Sequence, residues 1–160
     1  MSKNADQNDV SFQRVDLVSP EAQSLIRALN AELARQYPEE GANHFRLDVD
    51  EVSNGRGAFL VATRNGKAIG CGAVRRIESH VGELKRMYVV PEGRGFGVGR
   101  LLVAALEVEA KELGLTRLVL ETGTRQTAAL ALYQNAGFNR IELFGEYIGS
   151  SLSVCMAKDL

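Results

Sequence analysis

The chain has 160 residues, 45% of them hydrophobic and 24% charged, and a formal net charge of −1 at pH 7. That length gives one domain as the default, and the near-zero charge gives no reason to expect nucleic acid or a membrane surface as a partner. Two cysteines, Cys71 and Cys155, make neither a disulfide framework nor a metal cluster, and no apolar run is long enough to span a bilayer. The polar start MSKNADQND does not read as a secretory signal, so a reducing, cytoplasmic location is expected.

Residues 1–9 read as disordered and residues 10–160 as a single domain. Phe12 to Val18 reads as a strand anchored by Phe12, Val15 and Leu17. Ser19-Pro20-Glu21 starts a helix, with serine as cap, proline in the first turn and an acid against the dipole. Leu25, Ile26, Leu29 and Leu33 carry it to Arg35 on one apolar face, and Tyr37-Pro38 ends it. Glu39 to Gly57 reads as a loop with a short helix near Val49 to Asn54. Ala58 to Thr63 is a strand, and Asn65-Gly66 turns it back into Ala68 to Glu78. Gly70 and Gly72 inside that partner suggest close backbone packing or a bulge. Ser79 to Gly82 turns the chain into Glu83 to Val90, antiparallel to its predecessor because the link is short.

The stretch Glu83 to Arg100, ELKRMYVVPEGRGFGVGR, is a strand, a basic glycine turn and the start of a helix. The first N–H groups of a helix have no intrahelical partner, and the dipole adds positive charge there. Glycines at 95, 97 and 99 let a ligand approach the backbone, and Arg94 and Arg100 add charge. The turn therefore reads as the seat of a nucleotide cofactor's pyrophosphate. The dinucleotide fingerprint fails, because its third glycine would fall on Arg100, and no Gly-Lys-Ser/Thr of a Walker loop is present.

The helix carries Leu101, Leu102, Ala105, Leu106, Val108 and Leu113 and is capped by Gly114. Thr116 to Thr122 follows as a buried strand, parallel to Glu83–Val90 because a helix crosses between them. Gln126 to Ala136 is a short helix capped by Gly137. Phe138 to Leu143 and Ser151 to Ala157 close the sheet. The expected class is α+β, a mixed and mostly antiparallel sheet with a parallel pair in its middle, whose carboxyl ends are the place for a ligand.

Arg94-x-x-Gly97-x-Gly99 resembles motif A of the GNAT N-acetyltransferase superfamily, a turn that binds acetyl-coenzyme A. Gln126-x-x-Ala129-x-x-Leu132-Tyr133-x-x-x-Gly137-Phe138 resembles motif B, with Gln126 where asparagine is common. The order of the two motifs is right, and the resemblance covers most of Ala58 to Leu160. It implies the GNAT fold, with the central pair splayed around acetyl-CoA and helices on both faces. ELKRMYV, LETG and a late Phe-x-x-Tyr make the chain similar to small bacterial members.

The resemblance implies that backbone N–H groups of Arg94, Gly95, Phe96, Gly97, Val98, Gly99 and Arg100 take the pyrophosphate. The pantetheine arm would lie along Met87, Tyr88 and Val89, where a bulge opens the slot. An N–H near Tyr88 or Val89 would polarise the thioester oxygen. Gln126, Ala129 and Tyr133 complete the cofactor residues, and no metal is expected. Tyr133 is the candidate general acid for the leaving thiolate. Glu83 and Glu121, at opposite ends of the parallel pair, are candidate bases, with His80 behind them and His44 and Tyr147 as candidate lining of the acceptor site. Cys71 and Cys155 read as core residues rather than nucleophiles. Arg75, Arg76, Lys85 and Arg86 suit either an acceptor carboxylate, the cofactor phosphates or a solvated face. The implied activity is acetyl transfer from acetyl-CoA to a small primary amine. A protein or peptide N-acetyltransferase and a non-catalytic acyl-CoA-binding domain stay open, as does a homodimer.

Overall fold

A computed structural model describes residues 9–42 and 46–160. The expected disorder of the first residues and the expected role of His44 fall outside the described residues. Seven strands form one sheet in the order β1-β2-β3-β4-β5-β7-β6. They are β1 (Val10–Arg14), β2 (Gly57–Arg64), β3 (Lys67–Glu78), β4 (Val81–Val89), β5 (Arg117–Gly123), β6 (Asn139–Ile141) and β7 (Ser153–Asp159). The helices are α1 (Pro20–Gln36), α2 (Val98–Glu112) and α3 (Thr127–Asn135). All strand pairs are antiparallel except β4 with β5. The mixed, mostly antiparallel sheet with one central parallel pair is the expected one.

The period-two alternation of β2 sorts its side chains onto two layers. Ala58 and Leu60 pack with Leu102, Val103 and Leu106 of α2, while Phe59 and Val61 pack with Leu25 and Leu29 of α1. Helices thus cover both faces, with Tyr133 of α3 on the α2 side. Ser19 caps α1, its hydroxyl accepting the Ala22 N–H at 3.3 Å. Asn65 and Gly66 take φ values of 53° and 75°, so the β2–β3 hairpin closes through the left-handed turn its sequence specifies.

The first strand lies earlier than expected. It ends at Arg14, and Leu17 is buried in the loop that leads into α1. A run of apolar residues without strict alternation marks burial rather than a strand. The strand expected over Phe138–Leu143 shrinks to Asn139–Ile141, with Phe138 buried beside Tyr133 at 5.9 Å between ring centroids. Helix α2 begins at Val98, so Gly99 and Arg100 belong to its first turn rather than to the loop.

Two features place the site. Tyr88 pairs with Cys71 and Lys85 with Ala73, so Arg86 and Met87 together face Gly72, a bulge with Arg86 at φ 58°. A Cβ on Gly72 would stand 2.5 Å from the Met87 sulfur and 2.8 Å from Leu106, so any larger residue opposite the bulge would have to push those side chains aside. The parallel pairing of β4 with β5 runs only from Val81–Arg117 to Leu84–Leu120. Beyond Leu84 the bulge turns β4 away, while β5 continues on β7 from Glu121 to Gly123. The central pair is therefore open at its carboxyl end.

Candidate active site

The N-terminus of α2 points at this opening. Gly97 precedes the helix at φ 77°, and the Leu101 N–H is the first to bond back, to Gly97 O at 3.1 Å. The N–H groups of Val98, Gly99 and Arg100 have no helical partner and carry the positive end of the dipole. Gly95, at φ 87°, has no atom within 4 Å of where a Cβ would stand, so the turn is open above the helix end. These features fit a diphosphate.

A cavity of about 470 Å³ runs from this turn into the splay. Met87 and Val89 line one side, and Gln126, Ala129 and Tyr133 line the other. Val90 N–H is bonded to Ile69 O on β3 at 2.9 Å. Alternation along the strand then turns the N–H group of Val89 toward the open side, and that of Tyr88 toward β3. Of the two positions expected for the polarising N–H, Val89 is the one whose N–H faces away from β3.

Arg94 lines the cavity, but its guanidinium donates to Val89 O and to Glu32, each at 2.9 Å. It braces α1 against the turn. Phe96 is 51% exposed, sits under the Arg64 guanidinium at 4.6 Å and does not line the cavity.

A smaller cavity of about 100 Å³ adjoins the first and shares Leu29, Met87, Gln126 and Tyr133 with it. Glu121, Lys85, Arg86 and Tyr147 line it with Leu33, Tyr37 and Leu152. Tyr133 thus stands at the junction. Its burial, with the nearby Glu121 charge, raises the phenol above its usual range. The phenol stays protonated, as a donor must.

The two candidate carboxylates differ. Glu121 lines the smaller cavity and accepts a hydrogen bond from Ser153 at 2.6 Å. Glu83 is 1% exposed and lines neither cavity. Its Oε1 accepts from Arg75 at 2.8 Å and 3.0 Å, and its Oε2 accepts from the Tyr147 hydroxyl at 2.6 Å. It reaches the cavity only through Tyr147, whose phenol is pushed up by burial and by Glu83 itself. His80 sits before the start of β4, at the opposite end of the strand, with Nδ1 3.4 Å from Gly114 O. Cys71 is fully buried, its thiol pushed up to about 12, and Cys155 is buried as well. Neither is a nucleophile in this setting.

The basic cluster on β3 and β4 divides. Arg75 bridges Glu83 and Glu51, and Arg76 donates to Ser79 O and Leu113 O, so both are structural. Lys85 and Arg86 face the smaller cavity. Sequence reasoning missed Tyr37, which read only as a helix stop. Its hydroxyl accepts the Arg125 N–H at 2.8 Å, and Arg125 stacks on its ring at 4.9 Å while pairing with Glu39. Leu29, Leu33 and Tyr37 recur every four residues, and that spacing was the available signal.

Comparison with known proteins shows which chains share this sequence and fold. A sequence model of the acetyltransferase (GNAT) family matches residues 22–138. An IAA acetyltransferase from Azospirillum brasilense is 39% identical over 153 residues, which are 95% of this chain and 99% of that protein. The Escherichia coli N-acetyltransferase YedL, itself uncharacterized, is 32% identical over 82% of this chain and 83% of its own. A crystal structure from Klebsiella pneumoniae, assigned as an acyl-CoA N-acyltransferase, superposes with a TM-score of 0.82 at 34% identity, covering 94% of this chain and 97% of that one. A GNAT family acetyltransferase from Elizabethkingia anophelis with acetyl-CoA bound shares the fold, with a TM-score of 0.70 at 19% identity over 96% of this chain and 99% of that one.

Proposed function

Because the chain belongs to the acetyltransferase (GNAT) family, we propose that it transfers the acetyl group of acetyl-CoA to a primary amine of a small molecule, by direct attack in a ternary complex. The observation that carries this reading is the junction at Tyr133, where the large cavity leading from the α2 N-terminus meets the small one lined by Glu121.

In this reading the N–H groups of Val98, Gly99 and Arg100 hold the pyrophosphate. The open edge of β4 at Met87 and Val89 aligns the pantetheine arm as an added strand. The Val89 N–H group meets the carbonyl oxygen as charge develops on it, at no cost of reorganisation. Glu121 takes the proton of the attacking amine, directly or through water, and Tyr147 with Glu83 behind it orients the acceptor. Tyr133 donates to the leaving sulfur. Its raised pKa makes it a hydrogen-bond donor at every working pH, so the thiolate always meets a protonated phenol.

The size of the acceptor cavity, about 100 Å³ with Leu33 and Tyr37 lining its α1 side, supports a small acceptor over a protein substrate. The closely similar IAA acetyltransferase of Azospirillum brasilense accords with a small-molecule acceptor. The test is a thiol-release screen over amino acids, polyamines, aminoglycosides and amine-bearing herbicides, with lysine- and N-terminus-bearing peptides alongside. Turnover of a free amine is expected. Turnover confined to the peptides would replace this reading with the protein-directed one.

A further inference from the structure

Resting on that reading, we infer that the acceptor carries a carboxylate, and that Lys85 is the residue that recognises it, so the substrates belong to the amino-acid class. Lys85 lines the small cavity and is only 6% exposed. Its Nζ is buried with no hydrogen-bond partner among the described residues. A buried ammonium without an acceptor is costly, because the protein has removed its water and supplied nothing in exchange. The charges of Glu83 and Glu146 offset part of that cost, but neither accepts a hydrogen bond from the ammonium. Glu83 gives both carboxylate oxygens to Arg75 and Tyr147, and Glu51 is paired with Arg75. Burial pulls the Lys85 ammonium below its usual range, and a carboxylate arriving beside it would reverse that shift.

The position of the opposite charge completes the case. Lys85 stands on β4 just before the bulge, and Glu121 stands on β5 just after the strands part, so a positive and a negative wall face the same cavity. Arg86 adds a second cation on the β4 side. A zwitterionic acceptor fits that polarity in one direction only. Its carboxylate lies toward Lys85, and its amine lies toward Glu121 at the junction with Tyr133, where acetyl transfer would occur. A polyamine would place a cation against Lys85 and Arg86 instead.

The experiment compares matched pairs of acceptors, amino acids against their carboxamides, in the thiol-release assay with wild type, Lys85→Met and Lys85→Gln. Wild type is expected to favour the acids in kcat/KM by about tenfold or more, the scale of one charge-assisted hydrogen bond. Both variants are expected to lose that preference while binding acetyl-CoA as wild type does. Wild type treating acids and amides alike would overturn the inference. So would variants that keep the preference, or that lose turnover equally on both members, which would make Lys85 a base. If no free amine is turned over, calorimetry of N-acetylglycine, N-acetylalanine and N-acetylglutamate on the CoA complex decides. Binding by wild type that Lys85→Met weakens supports the inference, and no binding or equal binding overturns it. Absence of acetyl-CoA binding by wild type is a separate result. It would sink the transferase reading itself, and the inference with it.

Discussion

Gly97→Ala tests whether the turn before α2 holds the ligand. Gly97 sits at φ 77°, and a Cβ there would meet nothing closer than the tip of the Arg100 side chain at 3.4 Å. That tip can move, so the cost is the backbone's, about 1–2 kcal/mol for an L residue in the left-handed region. Gly97 is the residue before the helix, so its strain is relieved most easily by turning the Val98–Arg100 N–H groups away from their present aim. Acetyl-CoA binding must then restore that aim, and the new methyl group also stands beside the ligand. A cost of about 1–2 kcal/mol corresponds to roughly 5- to 30-fold in Kd. The control is Gly114→Ala, at φ 80° beyond the far end of the same helix, with no atom within 4 Å of its Cβ position. It should lose about the same free energy in urea denaturation and leave Kd within about twofold. Calorimetry with acetyl-CoA and urea denaturation on both variants give the two numbers. If Gly97→Ala binds as tightly as wild type while Gly114→Ala is destabilised as expected, the pyrophosphate assignment is wrong.

Tyr133→Phe should lower kcat by about a hundredfold with little change in KM for acetyl-CoA, since it removes a proton donor and keeps the packing; unchanged turnover would remove the phenol from the chemistry. Because burial raises its pKa, Tyr133 should also add no limb to the pH–rate profile of wild type below about pH 10. Glu83→Gln should cost about 1–2 kcal/mol of stability in urea denaturation, because the part-buried Arg75 keeps only its Glu51 pair, whereas Glu121→Gln should leave stability nearly intact and cut kcat by about a hundredfold. The reverse pattern would exchange their roles. Arg125 holds the Glu39 carboxyl down at about 2, so the ion pair beside Tyr37 is complete above the ordinary value of ~4.3 and is lost as pH falls toward 2. A Glu39 titration by NMR should show its midpoint near 2, and a midpoint near the ordinary value would mean the pair does not form.

The elements with strong local signals could be read from the sequence. Ser19-Pro20, Asn65-Gly66 and Gly114 each fix a backbone conformation by their own chemistry, and the structure has a cap, a turn and a helix end at those places. Gly70 and Gly72 announced bulged pairing, and two of the three register shifts of the β2–β3–β4 region lie beside them. Residues whose role depends on long-range contact were not legible. Tyr37 meets Arg125 across 88 positions, and Tyr147 meets Glu83 across 64. No local pattern distinguishes a glutamate locked in the core from one that faces a cavity. Only the parting of β4 from β5 separates Glu83, still in the paired part, from Glu121, beyond it. The four basic residues on β3 and β4 looked equivalent in the sequence. Arg75, Arg76 and Arg86 find partners in the fold, Arg86 donating to Asn30 Oδ1, while Lys85 and Arg86 both line the small cavity.

The central claim is that the splay between β4 and β5 receives acetyl-CoA. A crystal structure of the protein with acetyl-CoA tests it most directly. The pyrophosphate should lie on the N–H groups of Val98, Gly99 and Arg100, and the thioester carbonyl should meet the Val89 N–H with its sulfur beside the Tyr133 hydroxyl. A ligand seated elsewhere, or no density at concentrations that saturate calorimetric binding, would contradict it.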